Sequence, residues 1–280
     1  MIGQIELINK IDKIITHKLP VFSIITGQRG QGKKLIANYI SNKLKYPLIT
    51  FDIKIDDIRE MIKLAYIQTE PIIYLIPDAD RMSIGAKNSL LKIIEEPPNN
   101  AYFIMTLQSI DNTLPTIKSR CIEFKMDNYS DEDLNNFIDL MQLQITDEEK
   151  NILITCCDNY RDIELFNNYG IIEFYNYVTK VITNIHKVQS ANAFKICEKL
   201  DLKADSDKYD LQLFFKTFRS ICYRNMIEHL FEPIFAEQVR LFNEAILITS
   251  KTLNKLTITG INKQSLLDMW ILDIRKSWRT

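Results

Sequence analysis

A glycine-rich stretch that ends in lysine has the residue types and the spacing that bind phosphate. Residues 27–33 read Gly-Gln-Arg-Gly-Gln-Gly-Lys, between an apolar run at residues 21–26 and a segment of helical periodicity at residues 33–44. In such a strand–turn–helix context, backbone N–H groups at the helix N-terminus hold phosphate and the lysine neutralises its charge. The sequence therefore predicts a P-loop. Its predicted phosphate-binding residues are Gly27, Gly30, Gly32 and Lys33.

Two positions in the same predicted site lack the groups that hydrolysis needs. A hydrolytic P-loop has Ser or Thr after its lysine, because that hydroxyl binds Mg²⁺, but here the residue is Lys34. The apolar run at residues 72–76 is followed by Pro77-Asp78, where an active enzyme has Asp-Glu, so a proline replaces the carboxylate on the metal side. These substitutions predict a pocket that does not hydrolyse nucleotide. The alternative is that Asp78 and Asp80 cap the next helix.

The elements that must position these residues are short apolar strands alternating with helices. The predicted strands are residues 21–26, 47–51, 72–76 and 102–107, and helical periodicity separates the first three. This alternation is typical of a parallel sheet with helices on both faces.

After Phe124 helical periodicity replaces the strand pattern. Ser130 and Asp133 form a helix-start pattern close to a capping box. Gly170 is the only glycine between Gly85 and Gly260, so it indicates the boundary between two helical blocks. We therefore expect three domains, at residues 1–126, 127–170 and 171–280.

The bulk composition limits the class of protein. A chain of 280 residues suits two or three domains. A net charge of −1 does not indicate a nucleic-acid binder, so any DNA contact would be local or shared with other subunits. Five cysteines, an odd number, favour a reducing cytoplasm over a disulfide framework. The apolar runs are too short to span a bilayer, which predicts no membrane association.

Three further segments carry a family resemblance. Residues 54–60 read Lys-Ile-Asp-Asp-Ile-Arg-Glu, residues 88–98 read Asn-Ser-Leu-Leu-Lys-Ile-Ile-Glu-Glu-Pro-Pro, and residues 116–121 read Thr-Ile-Lys-Ser-Arg-Cys. In this order after a P-loop, they resemble the clamp-loader branch of the AAA+ ATPases, and most closely the delta-prime subunits of bacterial DNA polymerase III. The resemblance implies an α/β P-loop AAA+ domain, a small helical lid and an all-α C-terminal collar. Specific motifs cover only the first half of the chain.

The resemblance also implies roles for individual residues. Arg120 corresponds to an arginine finger that reaches the nucleotide of a neighbouring subunit, and Gln108 to the first sensor residue, which touches the γ-phosphate. Arg161 corresponds to the second sensor, although Asp158 and Ile163 stand where the family has glycine and alanine. Lys34 and Asp78 complete the predicted nucleotide site.

Cofactors and partners follow from the same resemblance. It implies ATP or ADP bound without productive Mg²⁺. Residues 34–80 contain no cysteine, so the cysteine-ligated zinc module of many relatives is not expected, and no metal site is predicted. The implied partners are other clamp-loader subunits, joined through the collar, and the sliding clamp and primer-template DNA, reached through the complex.

Two functions from different classes compete. The first is a hydrolysis-incompetent clamp-loader subunit that presents Arg120 to a neighbour. The second is an active AAA+ ATPase, such as a motor clamp-loader subunit or a helicase-loading factor. Lys34 and Pro77 favour the first, because an active site should not lose two metal ligands. A third interpretation, a degenerate P-loop protein with another interaction role, is separated only by identifying partners.

Overall fold

The computed structural model describes residues 2–185, 187, 194–195, 197–202, 208–256 and 260–278. The chain forms two compact units, Met1–Ser130 and Asp131–Thr280. The first boundary lies four residues beyond the predicted end of the first domain. The predicted division at residue 170 lies inside the second unit and stays a prediction.

The first unit is built on a five-stranded parallel sheet. Its strands are β1 (Phe22–Thr26), β2 (Leu48–Thr50), β3 (Ile72–Ile76), β4 (Ala101–Leu107) and β5 (Ile122–Lys125), in the order β2-β3-β4-β1-β5. Its helices are α1 (Ile5–His17), α2 (Lys33–Leu44), α3 (Ile55–Tyr66), α4 (Ile84–Glu95) and the short α5 (Pro115–Lys118). The predicted parallel sheet is confirmed, and β5 adds an edge strand that the sequence pattern did not indicate.

Each face of this sheet has its own hydrophobic core, which explains why β1 and β3 are buried along their whole length. On one face Ile24, Tyr74 and Phe103 pack with residues of α3 and α4. On the other, Ile25 and Leu75 pack with residues of α1 and α2. Parallel pairing brings the carboxyl ends of β1, β3 and β4 to one edge of the sheet, which is where ligands bind in open α/β folds.

The second unit is mostly helical in its described part. Its helices are α6 (Asp131–Leu140), α7 (Asp147–Cys156), α8 (Tyr160–Tyr169), α9 (Ile171–Asn184), α10 (Leu211–His229), α11 (Ala236–Leu256) and α12 (Lys263–Ser277). A small parallel pair, Leu200–Asp201 with Tyr209–Asp210, precedes α10. Trp270 forms the centre of the core of α10, α11 and α12: its ring packs on three phenylalanines and its Nε1 donates to Thr249 Oγ1 at 3.0 Å. The three are Phe214, Phe215 and Phe218.

A buried lysine holds α8 to α10 in the second unit. Lys216 Nζ donates to Asp162 Oδ2 at 2.6 Å and lies 2.9 Å from Asp158 Oδ2. The same Asp162 oxygen accepts from the Asp158 N–H and the Asn159 side chain. Burial opposes the charge on Lys216, but the two carboxylates outweigh it and raise the pKa of the lysine.

No helix among the described residues has both the length and the apolar character to cross a membrane.

Candidate nucleotide site and arginine segment

The glycine-rich loop connects β1 to α2 as predicted, and its glycines are needed for backbone reasons. Gly30 and Gly32 have φ of +89° and +90°, which side-chain-bearing residues rarely adopt. A Cβ on Gly27 would lie 2.4 Å from Gln31 Oε1 and 3.1 Å from Met126 Cβ. The loop is thus closely packed around Gly27 and enters α2 through a left-handed turn at Gly32.

Gln31 is a member of this loop that the sequence did not single out. It is buried, and its Oε1 accepts from the Gln28 N–H at 2.6 Å. Its Nε2 donates to Asp127 O at 3.2 Å, and Tyr129 donates to its carbonyl oxygen at 2.6 Å. Gln31 therefore fixes the loop to the chain after β5 while accepting one of the loop's own N–H groups.

Lys33 lies at the start of α2 and is only 7% exposed. Its Nζ donates to the carbonyl oxygens of Gly27 at 2.6 Å and Gln28 at 2.8 Å. Burial lowers the pKa of Lys33, and the negative charges of Asp78 and Asp80 partly offset that effect. The first N–H groups of a helix have no intrahelical acceptor and carry partial positive charge. Lys33 and the start of α2 therefore form a cationic site suited to an anion.

The next residue, Lys34, is exposed in the first turn of α2. Its ammonium group has no lone pair for a metal and would repel a divalent cation. The position that supplies a magnesium-binding hydroxyl in a hydrolytic P-loop thus supplies a positive charge here.

The end of β3 lacks a carboxylate next to the strand. Pro77 follows Ile76, and Asp78 has a left-handed backbone (φ +50°) whose N–H donates to Thr106 Oγ1 at 3.0 Å. The helix-capping alternative is wrong for α4: Ser83 is its N-cap, and its Oγ accepts from the Ala86 N–H at 3.2 Å. Asp78 is an exposed carboxylate at the carboxyl edge of the sheet, and its side chain accepts no capping hydrogen bond from the short turn at Ala79–Arg81 that follows it.

Asp80 and Gln108 meet at this edge. Gln108, which follows β4, donates from Nε2 to Asp80 Oδ2 at 3.4 Å. Asp80 is buried, and burial raises the pKa of its carboxyl. Asp80 also interacts electrostatically with Lys33. The structure thus brings Lys33, Asp80 and Gln108 together. Asp80 was not among the predicted site residues. Its only signal in the sequence was its position, two residues after Asp78.

A cavity of about 290 Å³ opens beside the loop within the first unit. Gly27, Gln28 and Gln31 line it on the loop side, and Gln108 lines it at the end of β4. Glu123 of β5 also lines it and accepts a hydrogen bond from Thr26 Oγ1 at 2.5 Å. The walls combine polar and apolar surface in nearly equal amounts.

Arg120 follows the one-turn helix α5, whose buried Ile117 fixes it to the core. The Arg120 side chain is 42% exposed. Its Nη2 lies 3.3 Å from Glu95 Oε1, and its Nη1 donates to Thr116 O at 3.0 Å. The guanidinium is thus held on the surface of the first unit by one exposed ion pair, by the hydrogen bond to Thr116 O and by a long hydrogen bond from Nη1 to Ser119 Oγ at 3.5 Å.

Arg161 belongs to the second unit. It lies in the first turn of α8, where the Asn159 side chain accepts from the Asp162 N–H. Its Nη2 is 3.9 Å from Asp210 Oδ2, a long ion pair. The sensor assignment of Arg161 stays a prediction.

A parallel sheet with a glycine-rich phosphate loop between β1 and α2, acidic residues after β3 and a polar residue after β4 defines a P-loop domain of the AAA+ class. Two solved structures from Thermotoga maritima share the fold. One is a DNA polymerase III gamma subunit-related protein, with a TM-score of 0.50 and 17% identity over 95% of this chain and 99% of that one. The other is a RuvB mutant, with a TM-score of 0.51 and 16% identity over 96% of this chain and 89% of that one.

Sequence comparisons show similarity to subunits of bacterial DNA polymerase III. Residues 43–130 match the family model described as "DNA polymerase III, delta subunit". The chain is 29% identical to DNA polymerase III subunit gamma of Buchnera aphidicola over 41% of this chain and 40% of the relative. It is 32% identical to subunit delta' of Pseudomonas aeruginosa over 25% of this chain and 23% of the relative. The chain is therefore similar, over part of its length, to clamp-loader AAA+ proteins. It spans less than half the length of these relatives.

Proposed function

We propose that this protein is a delta-prime-like clamp-loader subunit of a replicative DNA polymerase, which does not hydrolyse ATP itself and supplies Arg120 to a neighbour's nucleotide. The observation that carries the proposal is a contrast within one domain. The loop site has Lys34 and Pro77 where magnesium ligands belong, whereas Arg120 is exposed in a segment of the family type. Such a subunit would not hydrolyse nucleotide itself but would contribute to hydrolysis in the neighbouring subunit.

The loop itself is proposed to hold phosphate without productive magnesium. Lys33, the glycine turn and the amides that begin α2 fit an anion such as the phosphates of ADP or ATP. Lys34 and Pro77 do not fit Mg²⁺, which normally neutralises the charge that develops on the transferring phosphate. The contribution of this loop would therefore be binding and loop rigidity rather than catalysis.

The chemistry of the Arg120 side chain suits its proposed role at the nucleotide of a neighbouring subunit. A guanidinium keeps its charge and offers a planar fork of donors that matches phosphate oxygens. Placed against a transferring phosphoryl group in trans, such an arginine stabilises the charge of the transition state.

The proposed partners are other clamp-loader subunits, with the sliding clamp and primer-template DNA reached through the complex. Residues 171–280, which lie within the second unit, are the proposed collar, and residues 127–170 are the proposed helical lid. Phe214, Phe215, Phe218 and Trp270 are core residues, but Phe231, after α10, is 88% exposed and Ile234 is similarly exposed. These apolar side chains support assembly with another protein. This role would place the protein in the cytoplasm.

The test is Arg120→Ala in the complex assembled from the native partners, identified by co-purification from the source organism. Loss of a trans arginine finger costs about 10³–10⁵ in the affected chemical step. We expect unchanged assembly and a large loss of DNA- and clamp-stimulated ATPase, diluted only by sites that do not use Arg120. Arg120→Lys should rescue little, since an ammonium lacks the planar fork.

The isolated chain provides the second half of the test. It should show background ATPase only. Robust Mg²⁺-dependent turnover by the unmodified chain alone would support the alternative, an active AAA+ ATPase. Stimulated ATPase at the unmodified rate in Arg120→Ala complexes would remove the finger assignment.

A further inference from the structure

Glu95 makes an ion pair with Arg120. Glu95 is the last residue of α4, and its Oε1 lies 3.3 Å from Arg120 Nη2. The two side chains are 56% and 42% exposed. A phosphate entering from outside could therefore reach the guanidinium directly.

The position of Glu95 is not one that a helix favours. A carboxylate in the last turn faces the negative end of the helix dipole, where cations are preferred. Pro97 and Pro98 prevent the helix from continuing. Helix stability therefore gives no reason for an acid here, whereas the guanidinium of Arg120 does.

The two partners are carried by elements fixed to one core. Ile93 and Ile94 of α4 are buried in the same hydrophobic core as Ile117 of α5. Lys118 Nζ also donates to Asp111 Oδ1 at 2.8 Å. With both backbones held in place, breaking the pair requires only rotation of the two exposed side chains.

We infer that Glu95 is a positioning residue, which holds Arg120 on its own subunit and yields it to a neighbour's phosphate; this rests on the proposed function of Arg120. Exposed ion pairs are weak, so the restraint is small and easily exchanged. A nucleotide phosphate carries more negative charge than one carboxylate and offers several oxygens to the guanidinium fork. Glu95 thus sets how readily the Arg120 guanidinium binds the phosphate of a neighbouring subunit.

Glu96 provides a matched control. It is the adjacent residue, also exposed, and its side chain makes no ion pair within the described residues. Glu96→Gln removes the same charge from the same helix end without changing the partner of Arg120. A general effect of net charge would appear in both variants.

The first experiment measures the accessibility of the guanidinium in the full isolated chain. Phenylglyoxal modifies unpaired arginines, and peptide mass spectrometry gives the rate at Arg120. Glu95→Gln should raise that rate about two- to fivefold, the range expected for an exposed ion pair. Glu96→Gln should leave it unchanged. Equal rates in all three proteins would overturn the inference.

The second experiment measures kcat/KM of stimulated ATPase in the assembled complex. Glu95→Gln should raise it about two- to fivefold, Glu96→Gln should not, and Glu95→Asp should lie nearer the unmodified protein. In an Arg120→Ala background, Glu95→Gln should have no effect. A reduced rate in Glu95→Gln, or an effect that persists without Arg120, would overturn the inference. If Arg120→Ala itself has no effect, the proposed function fails instead.

Discussion

Two buried lysines, one in each unit, make opposite use of their surroundings. Lys216 is 4% exposed and bound by two carboxylates at 2.6 and 2.9 Å, which raise its pKa. Lys33 is 7% exposed and donates to two neutral carbonyl oxygens, and burial lowers its pKa. Lys216 is therefore neutralised by its own unit, whereas the charge of Lys33 is only partly compensated.

This difference indicates two roles: Lys216 stabilises the packing of its own unit, whereas Lys33 provides a positive charge that suits an anion. A buried charge with full ionic pairing has no capacity left for a ligand. A buried charge that donates its hydrogen bonds to carbonyl groups, and is only partly offset by nearby carboxylates, keeps a positive potential that phosphate can satisfy. On this basis we propose that the loop binds phosphate even though Lys34 and Pro77 replace the magnesium ligands.

The largest effect on stability is expected for Lys216→Met. Removing one partner of a buried ion pair leaves Asp162 uncompensated, which typically costs about 3–5 kcal/mol. We expect the free energy of unfolding in urea to fall by that amount. Lys34→Met, at an exposed lysine, is the control and should change it by less than about 0.5 kcal/mol. Equal, small changes in both variants would remove the distinction between the two buried lysines.

A smaller loss is expected when the loop around Lys33 is overfilled. Gly27→Ala places a Cβ 2.4 Å from Gln31 Oε1 and 3.1 Å from Met126 Cβ, and overpacking of this kind costs about 1–3 kcal/mol. Gly85→Ala is the control, because a Cβ there meets Ile55 at 3.4 Å, ordinary contact within a helix. It should be neutral or stabilising by up to about 1 kcal/mol. If both substitutions behave alike, the loop is not the rigid support described here.

Lys33→Met should change stability by less than about 1 kcal/mol, because the lost hydrogen bonds are offset by the removal of a buried charge. Its effect should be on binding. Loss of a hydrogen bond to a charged group, about 1.5–3 kcal/mol, weakens affinity by roughly 10- to 150-fold. Calorimetry with ADP in the absence of Mg²⁺ measures this. Unchanged affinity would show that Lys33 is a structural lysine like Lys216.

Raising the pH into the alkaline range should change the free energy of unfolding in opposite directions for the two lysines. Both changes should be smaller than those predicted above. The pKa of Lys216 is raised above its ordinary value of 10.5 by folding, so its contribution is present below that pH and is lost as the pH rises through the folded value. The pKa of Lys33 is lowered, so the cost of burying its charge is relieved as the pH rises towards 10.5.

The measurement is the free energy of unfolding of each methionine variant relative to the unmodified protein between pH 8 and about pH 11. The advantage of the unmodified protein over Lys216→Met should shrink at the upper end of this range. Its stability relative to Lys33→Met should rise instead. The same direction of change in both pairs would contradict the electrostatic account.

The sequence predicted those features of the molecule that are determined by residues close together in the chain. The P-loop and the strands β1 to β4 follow from glycine spacing and apolar runs, which are local signals. The burial of Gln31 depends on a hydrogen bond to Asp127, 96 residues away, and a glutamine between two glycines has the pattern of an exposed turn. β5 was missed because its Glu123 and Lys125 interrupt the apolar pattern of an edge strand.

The second unit shows the same limit. Helical periodicity predicted its helices, but the pairing of Lys216 with Asp162 joins residues 54 positions apart. Periodicity gives the face of each helix and not the residue opposite it. The ion pair between Glu95 and Arg120 was equally inaccessible, since both residues had been identified only as parts of separate motifs.

The most direct test of the central claim compares two variants in the same assembled complex, by DNA- and clamp-stimulated ATPase. Lys33→Met removes the loop lysine of this subunit, and Arg120→Ala removes the group offered to its neighbour. We predict a rate near that of the unmodified complex for Lys33→Met and a large loss for Arg120→Ala. The opposite result, a large loss for Lys33→Met and none for Arg120→Ala, would mean that this subunit hydrolyses its own nucleotide and gives no finger to its neighbour.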